Sequence, residues 1–445
     1  MKICYFLPWY SPAGTGGTEI YMVELAKKML VAGTEVIMIC PGIRPVEEHF
    51  FVAGIPVIAS PSIHIDPGGK TDSGEAPPAD LAGFKTLLAN IAPDILHFHC
   101  FWPKHIFYLE TAKEMGIITL ITPHLAAFSC LRDDLLFKGV APCNGTVTLS
   151  KCTTCLIAAK AKNRRITAAA VTASARLLHR LHIPFPGGSS LTRLLSIPQT
   201  VTNRLTIFRR IGQSADAVIS VMPWYEKLLL ANGFPQDKIK TIRTTVISNR
   251  EPGMPSSNDQ QPLKVVFAGR QTHAKGLHLL FHVVPMFTPA EISLDLFGAV
   301  TEGLFDETIE KLRAMGYQIN QHGEVPREIL VSRLQEMDVL CFPSTCVEMC
   351  GLVILEAFAS GIPAIGSNLG GPRDLIIDGQ NGFQFQAGDA RDLADKLRLL
   401  VGNRSLVEQL KRSCRTTLQL GDIGPEHVQL YQELMAKGTS FEINA

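Results

Sequence analysis

Two consecutive α/β domains, each a doubly wound parallel sheet, are what this sequence predicts. Three observations carry that expectation. Short apolar runs of strand length alternate with helix-length stretches through most of the chain. A segment of Pro, Gly, Ser and amide residues, Glu251 to Pro262, interrupts the alternation as a linker would. The alternation then restarts at Leu263. At 445 residues the chain is long enough for two cores of ordinary size.

The elements follow in order. Lys2 to Leu7 reads as a buried strand, Thr18 to Ala32 as a helix stopped at Gly33, and Glu35 to Cys40 as the next strand. Further strands are expected at Asp94–His99, Ile117–Thr122, Ala217–Val221 and Lys240–Ile247. Past the linker, Val265 to Arg270 opens a second alternation that runs to about residue 420, and Pro425 to Lys437 reads as a terminal helix. The expected division is an N-terminal domain over 1–250, a linker at 251–262, a C-terminal domain over 263–420 and a tail at 421–445 that packs back on the first domain. No tandem repeat is visible.

Composition excludes several classes. With 46% hydrophobic and 19% charged residues, the chain is a folded one and not a disordered one. The net charge of +1 favours no particular partner. Every apolar run breaks before 18 residues, so no membrane-spanning helix is expected, and the N-terminus is too short in apolar length for a signal peptide. Eleven cysteines without an export signal point to a reducing, cytoplasmic setting.

Doubly wound sheets bind ligands at the carboxyl ends of their strands. The loop after the first strand carries Gly14, Gly16 and Gly17, but Glu19 stands where a dinucleotide fingerprint needs its third glycine, which argues against NAD or FAD. A glycine loop that lets backbone approach a ligand fits better; a simple turn is the alternative. In the second half, Gly269-Arg270 and Lys275-Gly276 form a candidate diphosphate clamp, Arg by forked hydrogen bonds and Lys by compact charge. The segment Glu348-Met349-Cys350-Gly351-Leu352-Val353-Ile354-Leu355-Glu356 places one carboxylate before a glycine turn and another inside an apolar helix. A buried carboxylate needs a partner, and a helix starting near Gly351 aims its positive end at whatever precedes it. A ligand with an anionic part and several hydroxyls suits that arrangement.

At these residues the chain resembles the retaining family-4 glycosyltransferases of the GT-B fold, in which two Rossmann-like domains face across a cleft. The resemblance rests on an ordered set: Gly16-Gly17-Thr18-Glu19, Leu25 to Leu30, Ala32 to Val36, Pro93 to His99, Thr122-Pro123-His124, Ala268-Gly269-Arg270, Lys275-Gly276, Pro343-Ser344, Glu348-x7-Glu356, Ala359 to Pro363, Gly370-Gly371 and Asp378 to Gly382. It implies that Arg270 and Lys275 hold the donor diphosphate and offset charge on the leaving group. Glu348 would face the donor sugar hydroxyls and Glu356 the ribose. The backbone of Met349, Cys350, Gly351, Leu352 and Val353 would meet the diphosphate, Gly16 and Gly17 would approach donor or acceptor, and His124 would line the site from the first domain. The implied chemistry is transfer with retention, without a catalytic metal. Departures from the family pattern are Cys350 in place of an aromatic residue, Asp374 in place of Glu, and the turn at Arg243-Thr244-Thr245-Val246. Rival readings are core histidines at His97, His99 and His124, a helix cap at Glu348, and a backbone-paired carboxylate at Glu356.

Two features fall outside that set. Cys130, Cys143, Cys152 and Cys155 lie in an insertion at about 128–212, with one C-x-x-C spacing among them. A structural Zn²⁺ site and free thiols are the two readings. The four resemble cysteine inserts in a subset of the family, which implies that they act together. From Leu135 to Ala215 there is no Asp or Glu, against Lys138, Lys151, Lys160, Lys162, Arg164, Arg165, Arg176, Arg180, Arg193, Arg204, Arg209 and Arg210. Interleaved with apolar residues, such a stretch fits an anionic membrane surface, a solvated face or an acceptor-phosphate pocket. It lacks the aromatic platforms that nucleic acid would need.

The expected function is transfer of a sugar from a UDP- or GDP-type donor to a saccharide or lipid-linked acceptor, in surface polysaccharide or glycolipid assembly. The setting would be cytoplasmic, peripheral to the inner membrane face. Alternatives are a nucleotide-sugar epimerase of the same fold and a non-catalytic nucleotide-sugar-binding protein.

Overall fold

The computed structural model of the chain describes residues 1–9, 16–64, 76–160, 165–181, 190–243, 261–417 and 423–442. It divides into two units, Met1–Arg243 with Ile423–Ala445, and Thr244–Asp422. Most of the linker, the end of the strand expected at Lys240–Ile247 and the turn after Arg243 lie outside the described residues, as do Gly14, Lys162 and Arg164.

Unit 1 holds strands β1 (Lys2–Phe6), β2 (Glu35–Pro41), β3 (Glu48–Val52), β4 (Ile55–Ser60), β5 (Ile95–His99), β6 (Ile118–Thr122), β7 (Leu136–Phe137), β8 (Ala141–Pro142), β9 (Ala217–Ser220) and β10 (Ile239–Thr241). Its helices are α1 (Gly17–Val31), α2 (Leu81–Ile91), α3 (His105–Glu114), α4 (Leu149–Lys160), α5 (Arg165–Arg180), α6 (Ser190–Leu195), α7 (Ile197–Ser214) and α8 (Pro223–Ala231). Eight strands form one sheet in the order β10-β9-β6-β5-β1-β2-β4-β3. All its pairings are parallel except β3 with β4. That hairpin escaped the sequence reading. Its two-residue turn, Ala53-Gly54, has both φ positive (51° and 82°), the geometry that matches strand twist, but Ala in the first position is a weak turn signal. β7 and β8 form a separate small hairpin.

Unit 2 holds β11 (Leu263–Ala268), β12 (Ile292–Phe297), β13 (Gln318–Gly323), β14 (Val339–Phe342), β15 (Ala364–Ser367) and β16 (Gly382–Phe385). Between them run α9 (Leu277–Val283), α10 (Asp306–Ala314), α11 (Arg327–Leu334), α12 (Leu352–Ala359) and α13 (Gly370–Leu375), with α14 (Ala390–Leu400) and α15 (Arg404–Thr417) after the last strand. The sheet is wholly parallel, in the order β13-β12-β11-β14-β15-β16. Counted within the unit this is the doubly wound order 3-2-1-4-5-6, whose direction reverses between β11 and β14. Each face of this sheet carries its own apolar layer. Val265, Leu294 and Cys341 belong to one, and Val266, Leu340 and Ile354 to the other. Burying one such Leu or Ile contributes about 1.5–3 kcal/mol.

The last helix, α16 (Ile423–Glu442), belongs to unit 1. Ile423, Leu430 and Tyr431 are buried in the same apolar cluster as Tyr5, Met22 and Ile95.

Candidate functional site

In unit 2 the loops that leave β11 and β14 flank the reversal point of the sheet, and they are lashed together. Thr345 N–H donates to Ala274 O (3.0 Å), and Ser344 Oγ lies 3.1 Å from the same carbonyl. Gly276 is left-handed (φ +76°), and a Cβ built there would lie 1.7 Å from Pro343 O. Only glycine lets the two loops approach so closely.

That contact brings Lys275 to Glu348. Lys275 Nζ donates to Glu348 Oε1 at 2.5 Å, and the two side chains are 23% and 17% exposed. The pair is therefore screened less than a surface ion pair. Ser344 Oγ (2.9 Å) and Cys346 Sγ (3.6 Å) donate to the same oxygen. Glu348 Oε2 takes part in none of these bonds. Burial, and then the Glu348 carboxylate, push the Cys346 thiol up. Behind Glu348, Gly371 N–H donates to Glu348 O (2.9 Å), and a Cβ on Gly371 would fall 2.3 Å from Cys350 O. The Gly370-Gly371 pair thus presses the start of α13 against the carboxylate's own loop.

Gly351 is the N-cap of α12 (φ +85°), with no side-chain cap. Met349 and Cys350 are buried, and Gly351, Leu352 and Val353 are half-buried at the helix start. Glu356 lies inside α12, its side chain 8% exposed, among Ile354, Ala357 and Phe358. Its partner is Arg327 at the first turn of α11, whose Nε donates to Oε1 at 2.7 Å. Burial raises the Glu356 carboxyl above its ordinary value and Arg327 opposes the rise. Sequence reasoning missed Arg327, which stands 29 residues upstream with no local signal. Arg270 is exposed beside this constellation in sequence, at the mouth of the β11 loop.

In unit 1 the sheet reverses between β1 and β5. The loop after β1 ends at Gly16 and Gly17, both exposed, where α1 begins with an extended N-cap at Gly16 and no side-chain cap. Trp9 Nε1 donates to Glu19 Oε1 (2.8 Å), tying the first helical turn to the strand end. His124, two residues past β6, is half-buried; its Nε2 lies 3.1 Å from His99 Nδ1, and the rings stack. Burial, then His427 behind it, hold His124 far below the usual histidine value. His97 is satisfied at both nitrogens, Nδ1 by Tyr431 Oη and Nε2 by Thr122 Oγ1, each at 2.7 Å. His99 is fully buried, and its Nε2 has no hydrogen-bond partner among the described residues. Cys100 was also missed. It is a buried non-glycine residue in left-handed conformation (φ 74°) at the end of β5, beside Thr18.

The structure brings Lys275, Glu348 and the α12 start together in unit 2, and groups His124 with His99 and Tyr21 in unit 1. The four cysteines Cys130, Cys143, Cys152 and Cys155 line a single cavity of about 30 Å³ under the β7–β8 hairpin. Among the described residues no three His, Cys, Asp or Glu side chains stand as a ready-made ion cage. Burial pushes the thiols of Cys130, Cys152 and Cys155 up. The basic stretch is not a uniform solvated face. Arg204 is buried and donates to Ala127 O and Phe128 O, and Arg210 forms a forked pair with Glu110. Arg180, Arg193 and Arg209 are exposed.

Residues 16–245 match the glycosyl transferase 4-like domain and residues 253–417 match glycosyl transferases group 1. The sulfoquinovosyl transferase of Arabidopsis thaliana is 33% identical over 172 residues, 38% of this chain and 31% of that protein. The phosphatidyl-myo-inositol mannosyltransferase of Mycobacterium leprae is 27% identical over 187 residues, 40% of this chain and 49% of that protein. The alignments thus span about a third to a half of these relatives' length. Among solved structures, a sucrose-phosphate synthase from Thermosynechococcus elongatus superposes with a TM-score of 0.68 at 19% identity, covering 98% of this chain and 99% of that one. Anabaena HepE in complex with UDP superposes with a TM-score of 0.62 at 15% identity, covering 99% and 100%. With two parallel α/β units built on reversed sheets and a family match over more than half its length, the chain belongs to the glycosyl transferases of the 4-like, group 1 type, and its fold is GT-B.

Proposed function

We propose that the chain is a retaining glycosyltransferase that moves a sugar from a nucleoside-diphosphate sugar to a saccharide or lipid-linked acceptor in surface polysaccharide or glycolipid biosynthesis. The observation that carries this reading is the Lys275–Glu348 contact at the reversal point of the unit 2 sheet, beside the uncapped start of α12. A cation and a helix N-terminus suit a diphosphate leaving group. Glu348 Oε1 is held by Lys275 and Ser344, which leaves Oε2 to accept from sugar hydroxyls. Glu356 Oε1 is held by Arg327, which leaves its other oxygen to accept from ribose hydroxyls. Arg270 would add a second cation at the diphosphate. In unit 1, His124 and the backbone at Gly16 and Gly17 would line the acceptor side. The bound UDP of Anabaena HepE supports a uridine-type donor by likeness of fold.

Among the described residues no helix is long and apolar enough to cross a membrane. The exposed Leu177, Leu181 and Leu191 (58%, 59% and 57%) lie close in sequence to Arg180 and Arg193, a composition that favours an anionic lipid surface near a lipid-linked acceptor.

A thermal-shift screen with UDP, GDP, ADP and dTDP tests the donor site. A nucleotide at 100 times its dissociation constant adds about 2.7 kcal/mol of stability. One base raising the midpoint, and Lys275→Ala abolishing the rise, is the expected result. No rise with any of the four would sink the reading. Release of an epimerised sugar without an acceptor would turn it to the isomerase alternative.

A further inference from the structure

None of the residues proposed to handle the sugar donor or acceptor lines the cysteine cavity. Cys130 follows the turn after β6, Cys143 follows the β7–β8 hairpin, and Cys152 and Cys155 stand one turn apart on α4. Three separate segments therefore deliver four sulfurs to one small cavity. All four are free thiols.

The backbone around them is shaped for sulfur. Asp133, Leu135 and Lys138 are all left-handed (φ 67°, 51° and 57°), an uncommon density of such residues without glycine. Turns of this kind aim successive N–H groups at one point and make an anion-favouring concavity. The N–H groups of Arg132, Asp134 and Leu135 face Cys130 Sγ, and Lys138 N–H donates to Cys155 Sγ at 3.0 Å.

Positive charge is gathered at the same place. Arg132 lines the cavity; its Nη2 donates to Asp134, and its buried Nε has no hydrogen-bond partner among the described residues. Arg204 is buried close by and donates to the carbonyls of Ala127 and Phe128 at 2.7 and 2.8 Å. Lys151 also lines the cavity. Asp134 pairs with Arg132 at 2.7 Å, and four thiolates on a divalent ion, with a net charge of about −2, would find these cations close by.

We propose that Cys130, Cys143, Cys152 and Cys155 bind one Zn²⁺ as a closed tetrahedral structural site that pins the β7–β8 hairpin and α4 to the loop after β6. Four Zn–S bonds form and the four S–H protons pass to solvent. In the side-chain directions described, Cys155 Sγ instead faces Leu136 O at 3.7 Å. A thiol changes direction by χ1 rotation between staggered wells, with the backbone left in place. Cys130 lies six residues beyond His124, so the ion would also steady the loop that carries that histidine.

The test uses the full chain purified from zinc-supplemented medium. Elemental analysis should find about one zinc per chain. Replacing it with Co²⁺ should give the intense visible bands of tetrahedral thiolate coordination. Cys152→Ser with Cys155→Ser should lower zinc to below about a tenth of an equivalent. Should that variant fail to fold, the metal content and cobalt spectrum of the unaltered chain decide alone. A folded chain without zinc that takes up none from added Zn²⁺, or one that carries iron with sulfide-type absorption, would overturn the inference. Because nucleotide binding can be read on the same sample, a zinc-free chain that still binds nucleotide would sink this site and leave the donor site standing.

Discussion

Glu356 shows how a single residue ties stability to binding. A carboxylate inside an apolar helix is tolerable only with a partner, and here the partner is Arg327, which engages one oxygen. In the proposed function the second oxygen accepts from the ribose hydroxyls. Glu356→Ala should therefore weaken nucleotide affinity by roughly 10-fold or more, the loss of one charge-assisted hydrogen bond of about 1.5–3 kcal/mol. Titration calorimetry checks it, and unchanged affinity would remove Glu356 from the site. Sequence spacing placed a carboxylate in this helix because an isolated Glu breaks an otherwise apolar run. Arg327 was invisible for the opposite reason: an Arg at a helix start looks like any solvated cation until the fold brings Glu356 to it. Arg204 hid in the same way. Counted in the sequence it belongs to a basic stretch, but it is buried against two carbonyls.

At the scale of elements, the strands named from sequence were legible because they are short apolar runs bounded by turn residues, and β1, β5, β6 and β11 fall within one or two residues of expectation. β12 to β16 were covered only by the general alternation, and β13, mostly polar, carries no such signal. The β3–β4 hairpin was not, since its outer strand alternates half-buried and exposed positions and Ala53-Gly54 is an unobtrusive turn. Pairing between loops was beyond reach. Lys275 and Glu348 are 73 residues apart, and nothing in either segment says that Gly276 lets their loops touch. Gly276→Ala is accordingly the sharpest probe of that junction. The added methyl meets Pro343 O and the backbone must leave its left-handed conformation, so the variant should lose at least about 2 kcal/mol of stability. Calorimetry should show the loss in the transition that nucleotide raises. A variant with an unchanged midpoint and full nucleotide response would mean that the loops need no such contact.

Across the whole molecule, acid should be the first stress that unit 1 fails. His97, His99, His105, His124 and His427 are all held neutral, chiefly by burial, with His105 and His124 pushed down to about 3 and His427 to about 4. An unfolded chain protonates its histidines near pH 6.5 and so binds more protons than the folded one between that value and about 4. Folded-state depression gives stability that is complete above pH 6.5 and lost as pH falls, by up to about 1.4 kcal/mol per pH unit for each histidine. Glu356 acts in the opposite sense: its raised carboxyl favours the fold at low pH and loses that contribution as pH rises above about 4.5. The melting midpoint should be level from pH 7 to 8 and fall below about pH 6.5. A midpoint level down to pH 5 would show that these histidines are not kept neutral.

The terminal helix has a consequence for synthesis. His97 Nδ1 is satisfied by Tyr431, 334 residues later, and Tyr431 also closes over Tyr5. Ribosomes deliver the first unit of this chain long before its last helix, so β1 and β5 must wait with their α16 face uncovered while all of unit 2 is made. Unit 2 has its sheet and its own helices in one continuous stretch and can finish first. The earlier-made half of the protein is thus the later one to complete its core, and during that interval its open apolar face is a natural client surface for chaperones.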